Sequence, residues 1–180
     1  MKQRKIPYKI AYELGINYLN NIDLKPNFAV MFDIDDTLLN TTNYKPIQPI
    51  INLIRECNKR GILVMIITAR SRIYRKETIQ DLEKIKVYSK HDNYFECPSS
   101  SNLYDYLYLR QSPQDDHALF KSGVKKHFAE NGIFTIMSIG DNDIDIVGKY
   151  SGYAIKLPNT QDPRLFHKDS YGRMVNINLN

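Results

Sequence analysis

Three mainly apolar runs constrain the fold of this chain more than any other feature of its sequence. They occupy residues 29–34, 62–67 and 133–139, and polar residues follow each run at once. Apolar runs without polar alternation are typical of parallel strands that are covered on both faces. Such strands alternating with helices define the α/β class, in which ligands bind beyond the carboxyl ends of the strands.

Helices and weaker strands are predicted between and after these runs. The apolar spacing predicts helices at residues 8–22, from Pro49 to a stop at Gly61, at 73–85 and at 118–131. A short last strand is expected at 152–157, whereas 103–109 fits either a strand or a helix. The tail at 160–180 has little apolar pattern, and we expect it to be loosely held.

Length and composition favour one domain at residues 1–180 with its core at about 28–158. The chain has 180 residues and 42% apolar content, enough for one hydrophobic core. Cys57 and Cys97 lie far apart and indicate neither a disulfide framework nor a zinc site. No signal peptide or membrane-spanning run is evident, so a cytoplasmic location without membrane contact is expected. The net charge of +5 is spread along the chain, which favours a solvated face over a nucleic-acid groove.

The first apolar run ends in three acids, Asp33, Asp35 and Asp36. Burying an unpaired carboxylate is costly, so acids beside a strand require a cation or a catalytic reason. Side chains two positions apart on an extended segment point the same way, so Asp33 and Asp35 can address one ligand. An oxygen-only cluster selects a hard cation, and Mg²⁺ suits a site that also handles phosphate.

Polar clusters also follow the other two runs, at residues 68–70 and 141–145. Because parallel strands present their carboxyl ends at one edge of the sheet, the three clusters should converge there. Alternate acids at 141–145 also open a calcium-binding EF-hand loop, but the glycine and glutamate that such a loop needs are replaced by Ile146 and Gly152. Capping of a short helix by Asp141 or Asn142 remains open and is compatible with metal binding.

Together these residues resemble the four motifs of the haloacid dehalogenase (HAD) superfamily. The matching elements are Asp33-x-Asp35-x-Thr37-Leu38, Thr68 after a strand, Lys121 at a helix start, and Gly140-Asp141-x-x-x-Asp145. Over residues 11–159 the chain resembles the acid phosphatases of plant class B-like and bacterial class C type, although it lacks their signal peptide. The resemblance implies a Rossmann-like three-layer α/β/α sandwich with a mostly parallel central sheet and a minimal or small cap.

The resemblance also implies a catalytic role for each motif residue. Asp33 would attack phosphorus and form an aspartyl-phosphate, while Asp35 would protonate the leaving oxygen and later activate water. Thr68 and Lys121 would hold the phosphoryl oxygens. In this family the second aspartate separates phosphate-processing members from dehalogenases, so Asp35 implies a phosphatase.

The same resemblance implies a Mg²⁺ site. Its ligands would be Asp33, the backbone carbonyl of Asp35, and Asp141, with Asp145 as a further ligand or as the residue that orients a metal-bound water. The cation would neutralise the nucleophile and the phosphate so that they can approach each other.

Substrate preference is less constrained by the sequence. The segment at 38–61 leaves no room for a large cap, and 73–101 is long enough only for a small cap or insertion. An open site would admit nucleotides, with Tyr44 and Arg70 lining the entrance, although simple packing or solvation of these side chains is left open. Alternatives are a nucleic-acid end-processing or phosphoprotein phosphatase, and a non-catalytic binding or storage protein on a HAD scaffold. The oligomeric state is not constrained.

Overall fold

The secondary structure is taken from a computed structural model that describes residues 5–91, 102–169 and 172–177. The helices are α1 (Lys5–Asn20), α2 (Gln48–Lys59), α3 (Arg75–Lys84), α4 (His117–Glu130) and α5 (Asp143–Ile146). The strands are β1 (Phe28–Phe32), β2 (Leu39–Asn40), β3 (Lys45–Pro46), β4 (Leu63–Ser71), β5 (Tyr88–Ser89), β6 (Asn102–Tyr104), β7 (Tyr106–Arg110), β8 (Phe134–Gly140), β9 (Tyr153–Lys156), β10 (Leu165–Lys168) and β11 (Met174–Ile177).

Seven of these strands form one sheet in the order β11-β10-β9-β8-β1-β4-β7. Five of these strands are parallel to their neighbours within the set β9, β8, β1, β4 and β7. The chain runs outward from β1 through β4 to β7, and then crosses to the other side of β1 to form β8 and β9. The order therefore reverses at β1, and such a switch point is where open α/β sheets place their ligand sites.

Two apolar layers cover the sheet because successive strand residues face opposite sides. Val30 and Phe32 of β1 belong to the larger cluster, which also includes side chains of α1, α2 and α3. Ala29 and Met31 face the other way and join a cluster that includes Phe128 of α4. The α/β/α arrangement with a mostly parallel sheet confirms the predicted fold class.

The structure differs from the sequence prediction in the tail and in the strand around Thr68. The tail was expected to be loosely held, yet β10 pairs antiparallel with β9, and β11 pairs antiparallel with β10. Most side chains of β10 and β11 are at least partly exposed, so these edge strands lack the apolar signal that marks a central strand. Strand β4 continues past residue 67 to Ser71, so Thr68 and Arg70 belong to the strand itself.

Two segments lie near the carboxyl edge of the sheet. Strands β2 and β3 form a two-stranded flap after β1. Residues 103–109, which fitted either a strand or a helix, form the strands β6 and β7. The predicted small cap or insertion at 73–101 begins with a short 3₁₀ turn and α3, but residues 92–101 lie outside the described residues. Within residues 5–91, 102–169 and 172–177, no helix combines the length and apolar character needed to span a bilayer.

Candidate active site

The carboxyl ends of the central strands bring the predicted acids together. Asp33 directly follows β1, and its backbone N–H donates to the carbonyl of Ile139 on β8 at 3.1 Å. Asp141 directly follows β8, and Asp145 lies on the short helix α5. All three side chains are buried, and Asp145 is fully inaccessible.

Asp33, Asp141 and Asp145 form a compact carboxylate cluster. Each offers an oxygen atom, and these oxygens all lie within 4.8 Å of one another. Burial is the main reason that the pKa of Asp33 rises to about 7 and that of Asp141 to about 6, and it also raises the pKa of Asp145. Buried carboxylates at this spacing need positive charge, and their hard oxygen donors suit a divalent cation such as Mg²⁺. The donor set therefore fits the predicted metal.

Lys121 reaches this cluster from the second turn of α4. Its Nζ donates to Asp33 Oδ1 at 2.7 Å and also to Asp145 Oδ1, so one ammonium bridges two carboxylates. Burial alone would lower the pKa of Lys121, but the charges of Asp33 and Asp145 outweigh burial and raise it. Lys121 therefore stays charged and connects the predicted nucleophile to the last motif.

Gly140 allows Asp145 to approach the end of β8. A Cβ atom at Gly140 would lie 2.1 Å from Asp145 Oδ2, which no real side chain tolerates. The same carboxylate accepts the backbone N–H of Asn142 at 3.0 Å, so it closes the turn between β8 and α5. This contact explains why the glycine precedes the acidic motif.

Lys125 is a buried site residue that the sequence analysis missed. Its Nζ donates to the backbone carbonyl of Asp145 at 2.8 Å and to Ser151 Oγ at 2.6 Å. Burial lowers the pKa of Lys125 to about 8. The available signal was its position four residues after Lys121, which places both lysines on one face of α4.

Asn159 holds the third carboxylate of the cluster. Its side-chain amide donates to the backbone carbonyl and to Oδ2 of Asp141, each at 3.0 Å. The sequence analysis included Asn159 in the segment that resembles the HAD phosphatases but assigned it no role. No local pattern links residues 18 positions apart, so this contact depends on the fold.

The Asp35 side chain lies apart from the three-carboxylate cluster and is paired with Arg70. Arg70 Nε and Nη2 donate to the two Asp35 oxygens at 2.9 and 2.7 Å, which is a bidentate ion pair. Arg70 Nη1 donates to Asp81 on α3 at 3.0 Å. These hydrogen bonds, the Asp35 pair first, raise the pKa of Arg70 despite its partial burial. Arg70 was predicted at the substrate entrance, and Asp81 was not predicted at all.

Of the two remaining predicted residues, Thr68 is buried and Tyr44 is exposed. Thr68 is 1% exposed, and its Oγ1 accepts the backbone N–H of Arg70 at 3.2 Å. Tyr44 is 73% exposed in the turn between β2 and β3, where its φ is 54°. No hydrogen bond or ring contact among the described residues joins the Tyr44 side chain to the acidic cluster.

The fold and the acidic site together define a HAD-type α/β protein, and comparison with known families specifies the subfamily. The family "HAD superfamily, subfamily IIIB (Acid phosphatase)" matches residues 42–162, well over half of the chain. The chain therefore belongs to this family of phosphatases, as its motifs predicted. The matched segment includes Thr68, Lys121, Asp141 and Asp145 and begins after Asp33 and Asp35.

Two solved structures of the class C acid phosphatase from Bacillus anthracis share this fold. One is 15% identical with a TM-score of 0.61 and is covered over 66% of its length by 82% of this chain. The other, with tungstate bound, is 16% identical with a TM-score of 0.60 and is covered over 67% of its length by 82% of this chain. The chain thus spans about two thirds of the length of these proteins, and similarity at this identity concerns the fold. No curated protein gave a significant match.

Proposed function

We propose that this protein hydrolyses phosphomonoesters through an aspartyl-phosphate on Asp33. The observation that carries the proposal is the buried cluster of Asp33, Asp141 and Asp145, in which the ammonium of Lys121 bridges Asp33 and Asp145. A binding or storage role would not require a buried, negatively charged cluster, whose assembly has a cost in stability. Membership of a phosphatase family supports the same reaction.

Asp33 is the nucleophile in this proposal. One of its carboxylate oxygens bonds to phosphorus while the bond from phosphorus to the leaving oxygen breaks. Lys121 keeps the Asp33 side chain oriented through their 2.7 Å hydrogen bond, and its charge faces the incoming phosphoryl group. Thr68 lies buried on the neighbouring strand, where it would donate to a phosphoryl oxygen.

Asp35 is the proton carrier in both halves of the reaction. It gives a proton to the leaving oxygen in the first step and takes one from the attacking water in the second, which restores free Asp33 and releases phosphate. In the structure both Asp35 oxygens accept from Arg70. The proposal therefore requires Asp35 to turn from Arg70 toward the substrate, and its partly exposed side chain has solvent on one side.

Asp33, Asp141 and the backbone carbonyl of Asp35 would hold Mg²⁺, with Asp145 as a further ligand or as the residue that orients a bound water. When bound, Mg²⁺ supplies positive charge that offsets the repulsion between carboxylates and phosphate. The hydrogen bond from Asn159 to Asp141 keeps that ligand in place.

Nucleotides are the proposed substrate class. The flap of β2 and β3 is short, so among the described residues the site has no large cover and leaves space for a bulky leaving group. The net charge of +5 would raise the local concentration of anionic substrates. A cytoplasmic location remains a prediction from the sequence.

The test is a phosphatase screen with nucleotides, sugar phosphates, phosphopeptides and phosphorylated DNA ends. We expect turnover that stops after EDTA treatment, returns with Mg²⁺ and is lost in Asp33→Asn. The matched control is Asp143→Asn, the same chemical change at an exposed acid, the first residue of α5. Full activity in Asp33→Asn would overturn the mechanism, and a folded wild type without turnover under any condition would favour the scaffold role.

A further inference from the structure

A cavity of about 540 Å³ lies beside the candidate active site, on the side of β4 and α3. It lies where β4 continues past Thr68 and its pairing with β7 shifts between Thr68 and Ser71. A bulge of this kind bends a strand and redirects its side chains. The cavity shares Arg70 with the active site, because the guanidinium that lines it also binds Asp35. A group bound there would therefore lie next to the proposed proton carrier.

Two buried hydroxyl groups line this cavity without a partner. Ser71 is 6% exposed and Thr78 is 0% exposed, and neither hydroxyl has a hydrogen-bond partner within the described part of the chain. Buried polar atoms in folded proteins are almost always hydrogen-bonded. Two unpaired hydroxyls in one cavity wall therefore indicate a ligand that supplies their partners.

The arginines of the cavity are already engaged by the protein. Arg70 donates to Asp35 and Asp81, while Arg110 donates to the backbone carbonyls of Ala69, Pro113 and Asp115. Besides the two neutral hydroxyls, the wall includes the exposed carboxylate of Glu77, which would repel an anion. This favours a neutral, hydroxyl-bearing group over a second phosphate.

Two exposed apolar side chains belong to the lining of the cavity. Tyr74 is 57% exposed and Ile73 is 66% exposed, and both line the opening. An exposed aromatic ring next to an apolar side chain is suited to pack against the face of another ring. The size of the cavity lies within the usual range for small-molecule sites, roughly 300–1,000 Å³.

We propose that this cavity binds the alcohol part of the substrate and selects a ring that carries hydroxyl groups, such as a furanose. The Ser71 and Thr78 hydroxyls, which the wall shields from solvent, turn toward the ligand to hydrogen-bond to the ring hydroxyls, and Tyr74 packs on the ring face. The inference rests on the proposed phosphatase function and adds a basis for choosing among phosphomonoesters.

Three substrates separate the contribution of the two hydroxyls from that of the Tyr74 ring. Ribose 5-phosphate has a ring with hydroxyls, phenyl phosphate has a ring without them, and ethyl phosphate has neither. In the double variant Ser71→Ala, Thr78→Val we expect kcat/KM for ribose 5-phosphate to fall about tenfold, with the other two substrates unchanged. In Tyr74→Ala we expect a loss of about fivefold for both ring substrates and none for ethyl phosphate.

The matched control is Thr135→Val, which removes another buried hydroxyl without a partner, on β8 and outside this cavity. It should leave all three kcat/KM values unchanged. The Tm of the double variant should equal or exceed that of the wild type, because the two buried hydroxyls make no hydrogen bond within the described chain. Equal losses on all three substrates, or no loss on ribose 5-phosphate, would overturn the proposal.

A second readout separates this inference from the reaction itself. If the wild type hydrolyses none of the three substrates, the proposed function fails, and ribose binding then tests the cavity directly. Saturation-transfer NMR with ribose should give a signal for the wild type that is lost in the double variant. Equal signals from the two proteins, or none from the wild type, would refute the cavity assignment.

Discussion

The acidic cluster and the neighbouring cavity lie at the same edge of the sheet, but they differ in whether their polar groups have partners. In the cluster, Lys121 pairs with Asp33 and Asp145, and Asn159 holds Asp141. In the cavity, the hydroxyls of Ser71 and Thr78 have no partner among the described residues. Groups that perform chemistry must be pre-positioned, whereas groups that recognise a ligand can stay unpaired until it binds. This contrast fits a protein that holds its reacting groups in place before the substrate binds. Its selectivity would then come from hydrogen bonds that form only with the substrate.

The largest effect is expected from Lys121→Met. Removing the ammonium leaves two buried carboxylates without their direct ionic partner, which should destabilise the metal-free protein by about 3–5 kcal/mol. Activity should also fall by about 10²–10³-fold, since the nucleophile loses its orientation. Urea unfolding in EDTA and kcat with Mg²⁺ measure the two effects.

The control for Lys121→Met is Lys125→Met, which removes a buried lysine from the same face of α4. Lys125 contacts the backbone carbonyl of Asp145 rather than a carboxylate, so the loss of stability should be smaller. If the two variants lose equal stability, the ion pairs of Lys121 with Asp33 and Asp145 contribute no more to stability than the contacts of Lys125.

A smaller effect is expected from Gly140→Ala. The added Cβ would meet Asp145 at 2.1 Å, so the turn must shift, at a cost of about 1–3 kcal/mol and with a displaced Asp145. Gly123→Ala is the opposite case, because nothing lies within 4 Å of its Cβ and α4 gains a better helix former. Thermal unfolding should therefore show a lower Tm for the first variant and a Tm that is equal or higher for the second. A Gly140→Ala protein with wild-type Tm and kcat would contradict the close approach.

The smallest effect is expected from pH, and it concerns the metal-free protein. Burial raises the pKa of Asp33 from 3.8 to about 7 and that of Asp141 from 3.8 to about 6. The native state therefore binds more protons than the unfolded state, and the resulting stability is full below pH 3.8 and is lost as the pH rises through 6 to 7. In EDTA the Tm should fall between pH 5.5 and 8 because of these two groups, and Asp33→Asn should weaken the dependence. An unchanged slope in that variant would show that Asp33 is not the titrating group.

The sequence predicted those parts of the site that follow directly from strand ends. Asp33 and Asp141 each come directly after a central apolar strand, so parallel topology alone brings them to one edge. Asp145 and Lys121 depended on motif resemblance, because a lysine on a helix carries no local sign that it is buried. The structure brings both to the acidic cluster, and their roles remain predictions for activity measurements to test.

Other parts of the site depend on long-range geometry that no local pattern carries. The hydrogen bond from Asn159 to Asp141 and that from Arg70 to Asp81 form only after distant elements pack together. The antiparallel strands β10 and β11 escaped prediction because their side chains are largely exposed and their order comes from backbone pairing. The cavity beside Arg70 arises from a shift in strand register, which the residue pattern does not reveal.

The hydrogen bond from the Asp33 backbone N–H to Ile139 has a consequence for how the protein loses activity. It extends the ladder between β1 and β8, the central pair of the sheet, so the nucleophile shares the backbone protection of the core. The Asp33 amide should therefore exchange its hydrogen with solvent only when the whole domain opens, rather than through local fluctuation of a loop. A denaturant strong enough to displace the nucleophile would have to unfold the sheet.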